Sequence, residues 1–433
     1  MKKLSKKQKL IVFIAILLIA VILAIVITTN IINNGQVASE RYSATTANAN
    51  SNLVAGYIKE GITIGGITGT LESLNTFDAT ATPEDIIWGK TGYVKGEKIT
   101  GTKVVTVAQG KASQKAFEEN TTLIDDYGNR VKVPAGFKIA EDSATAVTGG
   151  VVIEDVTAKG ATEYTKGSQF VWVPVGDVKT DNLGNSTNIT LGRYLFEEDG
   201  KENLIQSADD YANETNLPDQ ITSGYYYQEL LNSTNSNNVK AYDIADFILK
   251  TKSAGGYFIG RYEMGDAMAI EDAKEGIENQ SNPSNPVTCK SGVYPYTFIS
   301  QGDAANLSRN MYSDDTYKSD LINSYAWDTA LVFIQNFSGD KSYSRKKAFQ
   351  NTLAKCGETT DGNNKDVRCN IYDMASNTIE WTTETHSGKE DYSYPCTDRG
   401  GAFFRDDSYS CYRYNDAVGD CDKTISFRAI LYL

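Results

Sequence analysis

Between Arg405 and Asp416 the chain reads RDDSYSCYRYND. The stretch holds Arg405, Asp406, Asp407, Tyr409, Cys411, Tyr412, Arg413, Tyr414, Asn415 and Asp416, with no period of two and none of 3.6. Such a mixture could act in two ways. A cysteine thiolate could do nucleophilic or redox chemistry, given a partner and a lowered pKa. Tyr, Asp, Ser and Arg could instead serve as general contact residues, since they combine stiff aromatic area with adaptable hydrogen bonding. A third reading is plain loop filler.

The other reactive side chains narrow the chemistry. His386 is the single histidine, so a His-centred triad or a multi-His zinc site is nearly excluded. Beside Thr385 and Ser387 it is expected to be a solvated loop residue. The six cysteines, 289, 356, 369, 396, 411 and 421, all lie in the last third of the chain. An even number on an exported domain permits disulfides. Cys356 and Cys369, flanking GETTDGNNKDVR, are the expected local pair, although the six allow many pairings. A reducing setting would leave them as thiols.

The chain has 433 residues, with 42 Lys+Arg against 55 Asp+Glu and a formal charge of −13. No basic face is available to neutralise phosphates, which argues against a nucleic-acid partner. Tyr is used 26 times against 15 for Phe. That fits either a Tyr-rich contact surface or a strand-rich protein.

The elements that must position these residues start after a different kind of segment. Lys2, Lys3, Lys6, Lys7 and Lys9 precede an apolar run from Leu10 to Ile27, and no Lys or Arg follows until Arg41. A membrane-spanning helix needs about 20 apolar residues. Residues 1–32 are therefore expected to form a basic cytoplasmic tip and a signal anchor, with everything after it outside the cell. A cleaved signal peptide, cut near Val37-Ala38-Ser39, is the alternative. Either way the remainder is exported, and the anchored reading places the protein in the cell membrane as a single-pass protein. Residues 33–51 are small and polar, as in a flexible linker.

Residues 52–119 contain two echoing segments, GYIKEGITIGGITGTL and GKTGYVKGEKITGTKV. Both end Ile-Thr-Gly-Thr, at Ile67–Thr70 and Ile99–Thr102. They predict small stacked hairpins in a β-rich stalk. They resemble the GKTAYVNG-type repeats of phage tails and bacterial surface proteins, which implies a spacer or multimerising stem. From Asn120 the pattern changes, with a turn at Asp126-Tyr127-Gly128-Asn129 and strands in GGVVIEDV and SQFVWVPVG. GGYFIGRYEMG reads as a strand. SYAWDTALVFIQNF, Ser324 to Phe337, has apolar residues at helical spacing. NIYDMASNTIEWTTE pairs a turn with a strand over Ile379–Thr383.

QFVWVPVG, GGYFIGRYEMG, WDTALVFIQNF, YDMASNTIEWTTE, RGGAFF and ISFRAILYL occur in an order that resembles the formylglycine-generating-enzyme (sulfatase-modifying factor) family. The likeness runs from about Gln169 to Leu433, within a domain spanning 120–433. It implies an α+β fold of the C-type-lectin type, with long loops on a compact core. The family enzyme uses two cysteines and copper. Here Arg405 stands at the first cysteine position, and Cys411, before Tyr412-Arg413-Tyr414, matches the second. A single thiolate does not hold copper(I) of this kind, so no copper is expected. The resemblance also implies calcium held by Asn377, Thr378 and Glu380, with Ser376 and Ile379 departing from the family pattern.

Residues 400–422 contain no Lys, Glu, Gln, Met or Trp. The types present are those of codons ending in a pyrimidine. This composition, just before a closing FRAILYL, resembles variable proteins diversified by retroelements. The expected function is a membrane-anchored display protein. Its ligand-binding face would comprise Arg405, Asp406, Asp407, Tyr409, Tyr412, Arg413, Tyr414, Asn415 and Asp416. The expected ligand is a protein or glycan on another cell or a phage. An exported oxidase of the formylglycine-generating type and a structural surface or tail-like protein are the alternatives.

Overall fold

The computed structural model describes residues 54–71, 76–87, 90–213, 215–218, 225–231, 239–268, 284–348, 352–361, 364–388, 394–405 and 408–433. Two compact units divide the chain between Lys103 and Val104.

In the first unit each repeat is one short turn of 3-10 helix followed by a small hairpin. Ala55–Tyr57 leads to Thr63–Ile64 and Ile67–Thr68, and Pro83–Asp85 leads to Thr91–Val94 and Glu97–Thr100. The same bonds close both copies. Thr70 N–H donates to Ala55 C=O and Thr102 N–H to Pro83 C=O. The shared glycine explains the sequence echo. A Cβ on Gly101 would lie 2.3 Å from the Ile86 carbonyl oxygen, so only glycine lets the chains pass.

The second unit begins earlier than Asn120, because Val105–Thr106 already pairs in parallel with Thr121–Ile124. A short helix α1, Val107–Ser113, follows, capped by Thr106. Further along come β1 Phe137–Ile139, β2 Val152–Asp155, β3 Gln169–Pro174, β4 Leu217–Pro218 and β5 Tyr225–Glu229. Helix α2, Ile244–Ala254, precedes β6, Gly256–Gly260. Helix α3, Gln301–Arg309, precedes β7, Lys318–Leu321, and helix α4, Ser324–Phe337. The chain closes with β8 Ile379–Gly388, β9 Cys396–Arg399, β10 Arg413–Asp416, β11 Ile425–Phe427 and β12 Ala429–Tyr432.

Two sheets result. One is antiparallel, in the order β7-β12-β6-β3-β2-β1; the other runs β4-β5-β8-β9-β10, with β11 parallel to β8. The closing apolar run is thus two strands in two sheets, and Arg428 sits at the crossing. Its guanidinium donates to Glu380 and to the carbonyls of Gly260 and Tyr372, which fixes where the chain changes sheet. Helix α4 spans the predicted residues. Its N-cap Asn323 accepts from Ala326 N–H, and Trp327, Ala330, Leu331 and Ile334 are buried.

Among the described residues strand outweighs helix, at 34% against 17%, so the expected α+β fold is corrected to a mostly β one. Among the described residues no helix is long and apolar enough to cross a membrane. The four labelled helices have 7 to 14 residues. A span needs about 20. The described residues thus give no support to the expected signal anchor or to the single-pass membrane localisation drawn from it. The Leu10–Ile27 run, like the linker at 33–51, lies outside the described residues.

Candidate ligand-binding face

The face is built on the β9–β10 ladder. Gly400 ends β9 at a φ of +95°, a left-handed conformation that favours glycine. A Cβ on Gly401 would lie 1.8 Å from the Ala375 carbonyl oxygen. Register pairs Arg399 with Arg413, Asp398 with Tyr414, Thr397 with Asn415 and Cys396 with Asp416. Alternation then puts Arg399 and Arg413 on one side of the ladder and Asp398, Tyr414, Cys396 and Asp416 on the other.

Two guanidiniums directly opposite would repel. Here both are neutralised from beneath. Helix α4 supplies Asp328, whose carboxylate accepts from Arg399 and Arg413 at 2.6 Å each. Strand β8 supplies Glu384, which accepts from Arg193 at 2.6 Å, Arg413 at 2.9 Å and Arg399 at 3.3 Å. All five side chains are buried. Burial alone would raise Glu384, but Arg413, Arg193 and Arg399 overcome it and hold the carboxyl down at about 2. Glu229 lies next to this cluster, accepting from Ser324 N–H at 2.6 Å and Thr383 hydroxyl at 2.9 Å. Burial and the charge of Glu384 push it up to about 7. Arg413, expected among the exposed ligand contacts, is instead part of this frame. It is spent on internal ion pairs.

The opposite side of the ladder is chemically unlike the first. Asp398 is fully buried, and neither of its carboxyl oxygens has a hydrogen-bond donor. Its carboxyl approaches that of Asp416, and two carboxyls can bond only if one carries a proton. Burial first, and then Asp416, raise Asp398 well above the ordinary carboxylate range. Asp416 is half-buried, with Asp420 and Asp422 exposed beside it. Arg405 is the cation whose charge reaches both Asp398 and Asp416. Its guanidinium lies 3.9 Å from the centroid of the Tyr414 ring and 5.1 Å from that of Phe404. Tyr412 stacks on Tyr414 with centroids 6.2 Å apart.

Tyr409 belongs to a more basic part of the surface, where Arg345 and Lys347 each lie 5.4 Å from its ring. Arg405, Tyr409, Tyr412, Tyr414, Asn415 and Asp416 are all half-buried. Asp406 and Asp407 lie outside the described residues.

The trio assigned to calcium is instead a hydrogen-bonded frame. Asn377 donates to Glu263 at 2.5 Å and accepts from Ala354 N–H at 2.9 Å. The Thr378 hydroxyl and N–H both donate to Glu263. Both oxygens of Glu380 accept from Arg428, at 2.5 and 2.8 Å. A cation would have to displace a guanidinium that already neutralises the carboxylate, so these residues do not fit calcium. Among the described residues no group of three His, Cys, Asp or Glu is placed to hold a metal.

All six cysteines are free, so Cys356 and Cys369 are not the expected disulfide. Cys411 is buried, and burial raises its thiol. Cys396 is pushed up to about 12 by burial and by Asp416 and Asp398. His386 is also buried, on β8 and 5.1 Å from the Tyr227 ring, rather than in a solvated loop. Sequence reasoning missed Arg193, Asp328, Glu384 and Asp398. The one available signal was the period of two, which sets Asp398 and Arg399 on opposite sides.

No family model and no curated protein matches the chain. Among solved structures, CarF is similar at 14% identity and a TM-score of 0.29, covering 41% of this chain and 87% of that one. PvdO from Pseudomonas aeruginosa is similar at 12% identity and 0.26, over 51% and 98%. Treponema denticola variable protein 1 is similar at 11% identity and 0.21, over 61% and 96%. Likenesses at these scores carry no argument, and the functional reading rests on the chain's own geometry.

Proposed function

We propose that this is a ligand-binding protein whose binding face comprises Arg405, Tyr409, Tyr412, Tyr414 and Asp416, with a protein or glycan as ligand. One observation carries the reading. A fully ion-paired frame beneath the ladder holds a strip of half-buried Tyr, Arg and Asp side chains above it. Their identity is not needed by that frame, so they are free to serve contact. Arg413, Ser410 and Cys411 are excluded from the face, because they are buried; the Ser410 hydroxyl donates to Tyr343 C=O and its carbonyl accepts from the Trp327 indole. If the segment is diversified, the described positions open to change are those of the strip.

Thiol oxidation is the weaker reading on the residues themselves. Arg405 occupies the position of one required cysteine, and the Cys411 thiol is buried and raised, which disfavours a thiolate.

The test is a glycan array and a peptide array probed with the full-length protein and a Tyr412→Ser/Tyr414→Ser variant. Array signals that vanish in a variant that still unfolds cooperatively well above the assay temperature support the face. Signals that survive unchanged, or no signal with the native protein, overturn it.

A further inference from the structure

Resting on that binding face, we propose that its acidic half, Asp398, Asp416 and Asp422 beside Tyr412 and Tyr414, receives an Arg or Lys side chain from a basic segment of a protein ligand, in the place now held by Arg405.

Asp398 carries the argument furthest. A buried polar group without a partner costs stability and is rare in native structures. Asp398 is 0% exposed with both oxygens lacking a donor, although it lies one residue from the saturated Arg399. Its neighbours add acid: Asp416 is across the ladder, and Asp422 contributes to both carboxyls. Among the charges acting on this pair, Arg405 supplies the positive one.

Arg405 then shows what the site prefers. Its guanidinium packs on an aromatic face at 3.9 Å and is directed by the same acids. A planar cation over a tyrosine ring gains from the ring quadrupole as well as from the carboxylates. Yet Arg405 is a half-buried residue whose backbone is tied to Ala402 by an isolated bridge, outside the β9–β10 ladder. Its side chain can swing away without breaking that bridge or a ladder pair. A ligand cation would take over its ring and its carboxylates. The chain's formal charge of −13 would steer a basic partner toward it.

The experiment titrates the full-length protein with a tetra-arginine peptide, a tetra-glutamate peptide and spermidine by calorimetry at low and physiological salt. Tetra-arginine is expected to bind and tetra-glutamate not. Asp416→Asn and the exposed Asp422→Asn should each weaken tetra-arginine by about threefold to tenfold. Arg405→Ala should tighten it by a similar factor, because the resident cation no longer competes. Asp315→Asn, an exposed acid elsewhere, should change little.

No binding of tetra-arginine overturns the proposal. So do equal losses in Asp315→Asn and Asp416→Asn, which would mark a general charge effect. Spermidine binding as tightly as the peptide would overturn the protein source of the cation. If array signals depend on Tyr412 and Tyr414 while tetra-arginine fails, the binding face stands and only the cation inference falls.

Discussion

The two sides of the β9–β10 ladder differ in charge pairing, although they alternate residue by residue. On one side Arg399 and Arg413 meet Asp328 and Glu384, and every charge has an opposite within 3.3 Å. On the other, Asp398 is equally buried and has no donor at all. Burial is the same, so burial does not explain the difference. What differs is supply. Helix α4 and strand β8 deliver carboxylates to the first side, whereas the second receives its cation from a loop. A saturated network fixes geometry, and an unsaturated one leaves interaction energy available to a ligand.

The largest effect should come from unbalancing the saturated side. Asp328→Asn leaves Glu384 as the single carboxylate paired with three buried guanidiniums, and a loss of about 3–5 kcal/mol in unfolding free energy is expected. Chemical denaturation followed by circular dichroism measures it. A loss under about 1 kcal/mol would show that water already reaches the cluster.

The next effect is on pH dependence. Glu384 sits at about 2 in the fold, below its ordinary 4.5. Its contribution is therefore present above that ordinary value and is lost as pH falls through about 2. Glu229 has the opposite sign. At about 7 against an ordinary 4.5, it binds its proton more tightly folded than unfolded. Stability should then decline between those two values as pH rises, by about 3 kcal/mol at most. Glu229→Gln should flatten that decline and spare the acid limb. Melting temperature against pH for both proteins decides it, and parallel curves would refute the assignment.

Smaller still is the effect of Asp398→Asn. The raised carboxyl favours the fold at low pH, and that advantage fades as pH rises through its folded value. The amide cannot ionise, so the variant should match the native protein in acid. In alkali it should exceed the native protein by about 1–2 kcal/mol. A variant less stable at every pH would mean that Asp398 has a structural donor.

The smallest stability effect belongs to the tyrosine strip. Tyr412→Ser and Tyr414→Ser, at half-buried positions whose side chains lie outside the ion pairs of Asp328 and Glu384, should each cost about 1 kcal/mol or less. A loss as large as that of Asp328→Asn would erase the distinction between frame and face.

Much of the frame was legible beforehand. Ser324–Phe337 shows its helical period, and QFVWVPVG and GGYFIGRYEMG show their strands. Gly400-Gly401 shows a place where backbone must pass close. The repeat glycines Gly69 and Gly101 show the same need in the first unit. The site was less legible. Its residues were found by their crowding in sequence, but crowding does not tell which side of a strand each occupies. Arg413 looked like a contact residue and His386 like a loop residue, and both are buried.

The sequence by itself determined where strands, turns and the long helix form, because propensity, periodicity and glycine placement act over a few residues. It also set the acidic balance and the single histidine, which exclude whole classes of chemistry. Only the tertiary structure decided which charges meet. Arg193 and Glu384 are 191 residues apart in the chain yet form a 2.6 Å contact. Asp328 and Arg413 are 85 apart and equally close. Partners so distant are chosen by sheet order and helix packing, and that choice left Asp398 facing another carboxyl, Asp416.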